Sequence, residues 1–137
     1  MWFADPNLLL YSVSSAPEEQ EKAGIARAWL QDKDLVLSVQ VLQEFYVQAT
    51  RSGRPHPLPH AAAVAFIETW RRFRIQETTL EVVTAALEAK ERWGISYWDA
   101  AIIEAARASG CREVLSEDLS DGQNYGGVRV TNPFLRR

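Results

Sequence analysis

The sequence predicts an α/β/α sandwich: three layers built on a short, mainly parallel sheet of four or five strands. Three observations lead there. Short apolar runs of strand type, Trp2-Phe3-Ala4, Leu35-Val36-Leu37 and Glu113-Val114-Leu115-Ser116, alternate with longer stretches whose apolar residues recur at helical spacing. Helices or helix pairs separate successive strands, the pattern of right-handed parallel crossovers with both sheet faces covered. No linker divides the 137 residues, so one domain spanning residues 1–137 is expected, long enough for a sizeable core.

In chain order, the first strand ends at Asp5. Asp5-Pro6-Asn7 reads as a turn that aims Asp5 and Asn7 into a cleft before Leu8-Leu9-Leu10-Tyr11 resumes the apolar run. Ser14-Ser15-Ala16-Pro17 with Glu18-Glu19 starts a helix, because proline fits the first turn and acids suit its positive end. Ile25, Trp29 and Leu30 give its apolar stripe, and Asp32-Lys33-Asp34 breaks it. After the strand Leu35–Leu37, Ser38 is placed to cap a helix carrying Val39, Leu42, Phe45, Tyr46 and Ala49 on one side. Glu44 falls away from that stripe and faces solvent or a cleft. Residues 52–59 read as a loop. An alanine-rich helix follows through Phe66, Ile67 and Trp70, then a short strand at Phe73-Arg74-Ile75. Thr79 caps a helix stopping near Gly94, and Ser96-Tyr97-Trp98-Asp99 opens another that ends at Gly110. Past the strand 113–116 lies Asp118; Gly122 and Gly126-Gly127 belong to a loop, and Val128-Arg129-Val130 is a last strand.

Composition narrows the function classes. With 47% hydrophobic and 24% charged residues, the chain is an ordinary globular one, not a disordered one. Its net charge of −3 argues against a surface that binds polyanions indiscriminately, while leaving room for a local basic patch. One cysteine, Cys111, excludes an internal disulfide and a cysteine-rich zinc site. The lack of a signal-like segment or long apolar run predicts a cytoplasmic chain with no membrane span.

Four acids, Asp5, Glu44, Asp99 and Asp118, fall at or just after strand-to-helix junctions, where parallel α/β folds bind ligands. Each has an ordinary reading. Asp5-Pro6-Asn7 suits a turn, Glu44 a solvated helix face, Ser96-x-x-Asp99 a capping box, and Glu117-Asp118 an exposed turn. Together they point further. Four ionised carboxylates converging on one place repel one another and raise their pKa values, and a hard divalent cation removes that conflict. Oxygen donors without Cys or His suit Mg²⁺ or Mn²⁺ rather than zinc.

The same residues resemble the PIN-domain ribonucleases, most closely the VapC-type toxins of bacterial toxin–antitoxin pairs. The resemblance rests on the Asp-x-Asn opening with Leu8-Leu9-Leu10-Tyr11, on Gln43-Glu44-Phe45 and on Ser96-Tyr97-Trp98-Asp99-Ala100-Ala101-Ile102. It continues in Leu115-Ser116-Glu117-Asp118-Leu119, Gly122-Gln123 and 126–134. It implies that Asp5, Glu44, Asp99 and Asp118 are the family's acidic quartet. Asp5 and Asp99 would be the firmest Mg²⁺ ligands, with Mn²⁺ able to substitute; Glu44 and Asp118 would act directly or through water. Asn7 and Ser116 would hold the site by hydrogen bonds, and Asp121 would stand near it. It further implies hydrolytic cutting of RNA, inhibition by a cognate antitoxin, and a homodimer. One departure is Pro6, where the family usually has Thr or another small residue; proline has no N–H and a fixed φ.

The expected activity is therefore a Mg²⁺-dependent endoribonuclease, with Glu44 or Asp118 positioning or deprotonating the attacking water. Two alternatives stand beside it: a non-catalytic RNA- or protein-binding PIN module, suggested by Pro6, and a phosphatase of another doubly wound family using Asp5 as nucleophile, against which Asn7 counts. Arg51, Arg54, Arg71, Arg72 and Arg74 are candidates for phosphate contact or simple solvated residues. His56 and His60 lie around a proline-broken loop and make a weak metal pair. Trp29, Trp70 and Trp93 read as core or interface, whereas Tyr97 and Trp98, beside Asp99, have a better claim to touch substrate.

Overall fold

In the computed structural model, β1 (Trp2–Ala4) runs through the middle of the sheet and delivers Asp5 at its carboxyl end. The structure describes residues 1–32 and 34–135, so Lys33 of the expected helix break lies outside them. The chain continues as α1 (Pro6–Ser12), a 3-10 turn (Pro17–Glu19), α2 (Gln20–Asp32), β2 (Leu35–Ser38), α3 (Val39–Thr50) and α4 (His60–Trp70). Then come β3 (Arg74–Gln76), α5 (Leu80–Trp93), α6 (Tyr97–Ala108), β4 (Glu113–Leu115), β5 (Asn124–Tyr125) and β6 (Val128–Thr131).

The strands form one sheet in the order β3-β2-β1-β4-β6-β5. All neighbours are parallel except β5 and β6. Phe3 stands beside Val36 on one side and Val114 on the other, so β1 is covered along both edges. The chain fills one side of β1 with β2 and β3, then crosses back through α5 and α6 to β4 on the other. The reversal between β1 and β4 opens a crevice at the carboxyl ends of these two strands.

Three details differ from the sequence reading. The sheet has six strands, not four or five. The addition is β5, too short at two residues to show alternation, paired back onto β6 through the turn Gly126-Gly127. Both glycines have positive φ, +61° and +100°, as a tight hairpin turn demands. Secondly, Asp5-Pro6-Asn7 is not an isolated turn but the start of α1. Thirdly, the buried stripe of α3 is Val41, Phe45 and Ala49 with Gln40, while Val39, Leu42 and Tyr46 are only partly covered.

The core is built from Phe3, Leu8, Leu9, Leu35 to Leu37, Phe45, Ile103, Val114 and Leu115. Trp70 closes it, meeting Phe45 edge to face with centroids 4.6 Å apart. Trp29 and Trp93 pack on its margin, as expected of core residues. Glu104 is buried on α6, paired with Arg107, whose guanidinium also donates to the Tyr125 and Gly126 carbonyls, each at 2.6 Å. That one side chain fastens the β5–β6 hairpin to α6. No helix among the described residues is long and apolar enough to cross a membrane.

Phe45 is fully buried, so Phe45→Ala should lower unfolding free energy by about 3–5 kcal/mol in denaturant titration. Val47, 59% exposed on the same helix, should tolerate alanine within about 0.5 kcal/mol.

Candidate active site

The cleft at the carboxyl ends of β1 and β4 has a volume of about 210 Å³ and is lined by Asp5, Asn7, Glu44, Asp99, Ser116 and Asp118, with Pro6, Leu10, Gln48, Trp98, Ile102 and Leu119 between them. The four acids picked from sequence thus share one cavity. Each arrives from a different piece of secondary structure.

Asp5 is the N-cap of α1: its Oδ1 accepts the N–H groups of Asn7 at 3.1 Å and Leu8 at 3.4 Å. Its own N–H donates to the Leu115 carbonyl, so the end of β4 fixes the Asp5 backbone. Pro6 occupies the first helical position. A residue there has no N–H partner within the helix, so the missing donor costs nothing, and the fixed φ favours the helix start. The departure from the family's usual Thr is therefore structurally benign.

Asp118 follows β4. The Ser116 hydroxyl accepts the N–H groups of Asp118 and Leu119, and a further hydrogen bond ties Ser116 to the Asp5 carboxylate. Asn7 Nδ2 donates to Asp118 Oδ2 at 2.7 Å. Asn7 and Ser116 are thus the two residues that link the carboxylates of β1 and β4. The neighbouring Glu117 faces the other way. It accepts from Tyr11 Oη at 2.7 Å and pairs with Lys22 Nζ, and Phe134 packs edge-on against Tyr11. Burial raises the Glu117 pKa, but the bonds from Lys22 and Tyr11 outweigh it and hold the carboxyl below its ordinary value. This clamp secures the loop that carries Asp118.

Glu44 lies in the second turn of α3, whose N-terminus is capped by Ser38. The buried Gln40, one turn earlier on the same face, donates through Nε2 to Glu44 Oε2 at 3.0 Å and to the Trp98 carbonyl at 3.3 Å. Gln40 was not singled out from sequence; its i, i+4 spacing to Glu44 was the available signal. Asp99 sits in the first turn of α6, its N–H bonded to Ser96 Oγ at 3.1 Å. The capping reading of Ser96 and the site reading of Asp99 therefore both hold in the same turn. Trp98 is 60% exposed on the cleft's lip, while Tyr97 is not among the lining residues.

Asp121, expected near the site, lies outside this lining; its Oδ1 accepts the Asn132 N–H at 2.8 Å. His56 is in the loop and His60 Nδ1 bonds Tyr46 Oη at 2.8 Å, so the two histidines form no pair on a helix face. Arg72 and Arg74 are engaged with the carbonyls of Leu30 and Ser109.

Electrostatics fit a cation, with a different weighting from the one expected. Burial pushes Asp5 up from 3.8 to about 7, and the Asp118 charge adds to it against the bonds from Ser116, Leu8 and Asn7. Glu44 is also raised, first by burial and then by the charges of Asp99 and Asp118. Repulsion between the acids is real but secondary to desolvation. Among the described residues no three acid, histidine or cysteine side chains stand close enough together to hold an ion as they are. The donor set, all oxygen with Gln40 and Asn7 each engaging one oxygen of an acid, suits a hard divalent cation once the side chains draw in.

A PIN domain family model matches residues 3–120. The chain belongs to the PIN domain family. Among solved structures, the fold is similar to Mycobacterium tuberculosis VapC20, described as a sarcin-ricin loop cleaving toxin, with TM-score 0.68, 21% identity and coverage of 86% of this chain and 92% of that one. FitAB bound to an IR36 DNA fragment matches with TM-score 0.70 and 20% identity over 100% and 98% of the two chains. A toxin–antitoxin complex from Klebsiella pneumoniae matches with TM-score 0.67 and 16% identity over 98% of each. At these identities the likeness is one of fold. No curated protein matches the chain. PIN membership leaves no ground for the separate phosphatase family.

A raised carboxyl pKa favours the folded state while the group is protonated. That contribution is present below about pH 4 and lost as pH rises to about 7. In chelator, the Asp5→Asn variant, which keeps the capping oxygen, should gain melting temperature over the parent as pH rises through this window. Thermal melts from pH 4 to 8 would show it. Mg²⁺ should raise the parent's melting temperature more at pH 8 than at pH 5.

Proposed function

We propose that this PIN domain is a divalent-metal-dependent endoribonuclease acting as the toxin of a toxin–antitoxin pair. The observation that carries the reading is the sharing of one cleft by Asp5, Glu44, Asp99 and Asp118. In this proposal Asp5 and Asp99 hold Mg²⁺ or Mn²⁺, with Glu44 and Asp118 acting directly or through water. When bound, the ion supplies charge stabilisation to the phosphate and acidifies a water.

The chain's own residues do the rest. Water oxygen attacks phosphorus in line, the P–O bond to the leaving sugar oxygen breaks, the water proton passes to a carboxylate, and the leaving oxygen takes up a proton from solvent to depart as a hydroxyl. Glu44 is the better acceptor, because its raised pKa makes it more basic than an exposed acid. Gln40 holds one Glu44 oxygen and fixes its direction. Asn7 does the same for Asp118. Trp98 offers an exposed ring beside Asp99 for a nucleobase.

The non-catalytic alternative was motivated by Pro6, and that motive falls away with Pro6 at the first position of α1. Inhibition by a cognate antitoxin is supported by the toxin–antitoxin complexes of the same fold, while pairing with a second copy rests on the family resemblance alone.

Cleavage of labelled single-stranded RNA in Mg²⁺ tests the proposal. Asp5→Asn and Asp99→Asn should each lower the rate by about a hundredfold or more, and chelator should abolish it. Unchanged cutting by either variant would end the assignment. Gln40→Leu should cost about tenfold to a hundredfold, as loss of a group that orients a ligand does.

A further inference from the structure

A second cavity, of about 160 Å³, is lined by Val13 to Ala16, Glu18, Glu19, Ala49, Arg51, Arg54, Pro55, His56 and Leu58. It continues the seam that forms the acid cleft. Along the first segment the cleft takes Asn7 and Leu10, and the second cavity takes over at Val13. Along α3 and beyond, the cleft takes Glu44 and Gln48, and the second cavity takes Ala49 and Arg51. Glu44 and Arg51 are seven residues apart, which is about 10 Å of helix axis.

We propose that Arg51 and Arg54 form a subsite for a backbone phosphate of single-stranded RNA, flanking the phosphate that is cut. The inference rests on the nuclease reading of the acid cleft. Several other arginines among the described residues are engaged within the fold: Arg27 with the Ser12 and Ser14 carbonyls, Arg72 with Leu30, Arg74 with Ser109, and Arg107 and Arg129 with Glu104 and Glu113. Arg51 and Arg54 make no side-chain hydrogen bond or ion pair among the described residues. They are joined only through the backbone, Arg54 N–H to the Arg51 carbonyl at 3.1 Å, which sets their stems on one tight turn.

The remaining charges around the cavity leave them available. Glu19 is occupied by the Ser14 hydroxyl at 2.6 Å. Glu18 is exposed, and His56 completes the lining. Two unpaired guanidiniums suit a phosphodiester, which they can meet with paired N–H donors. An acidic cleft alone repels a polyanion, so a substrate needs positive charge close by but outside it. This chain, acidic overall, supplies that charge one step along the seam.

Binding of a fluorescent single-stranded oligoribonucleotide in chelator, titrated with KCl, is the test, paired with cleavage kinetics in Mg²⁺. Each phosphate contact contributes about 0.7 to the slope of log affinity against log salt on single strands. Arg51→Gln with Arg54→Gln should therefore reduce the slope by about 1.4, raise KM by roughly tenfold and leave kcat unchanged. Arg51→Lys with Arg54→Lys should keep the slope, since charge is retained. Arg71→Gln, at an exposed arginine paired with Glu68, should also keep it. An unchanged slope in the glutamine pair, with its melting temperature intact, overturns the subsite and leaves these arginines to a protein partner. Slope loss in the glutamine pair, with a parent that binds RNA but never cuts it, would preserve the subsite and sink the nuclease. A parent that binds no RNA removes both.

Discussion

The structure depends on one carboxylate. Asp5 ends the central strand, and burial forces its oxygens to find donors within the protein. It finds them in the first N–H groups of α1 and in Ser116. Those bonds start a helix, join the ends of two neighbouring strands and set the first wall of the cleft. The same burial makes its negative charge costly, so a cation bound in the cleft would stabilise the ionised form. Stability and chemistry therefore pull on the same side chain in opposite directions.

Around Asp5 the other acids are held by groups that only orient. Gln40 reaches Glu44 from one helical turn away, Asn7 reaches Asp118 from the start of α1, and the Tyr11–Lys22–Glu117 clamp steadies the loop behind it. The reversal of strand order between β1 and β4 supplies the space, and the capped starts of α1, α3 and α6 surround it. Little of this rests on mobile segments. The acids sit on, or directly beside, regular elements anchored in the core.

Much of this was legible in the sequence, because strong local signals coincide with the tertiary result. Ser38, Thr79 and Ser96 cap the helices expected of them, and Gly94 ends α5 in the left-handed conformation. Asp5 and Asp118 could be gathered because each follows a strand and parallel strands bring such ends together, whereas Glu44 lies within α3 and Asp99 opens α6 straight after α5. What was missed lacked a local signal. Asp-Pro-Asn favours a turn and a helix start alike, and only the packing of Leu8 and Leu9 decides for the helix. Strand β5 is two residues long and exists through its pairing with β6 and the hold of Arg107. Gln40 carries no signal of its own in the sequence, and its role comes from burial with Glu44 and the Trp98 carbonyl as partners. Asp121 shares the acidity of its neighbourhood, but its carboxylate serves the Asn132 backbone.

The small hairpin has a wider bearing. An open sheet presents two borders, and each is a template onto which another molecule's extended backbone could zip. Here one border is a two-residue stub folded back by paired glycines, and the other is three residues long and begins with a charged, exposed Arg74. Neither is long enough to recruit a foreign strand. Both borders are thereby poor templates for edge-to-edge association.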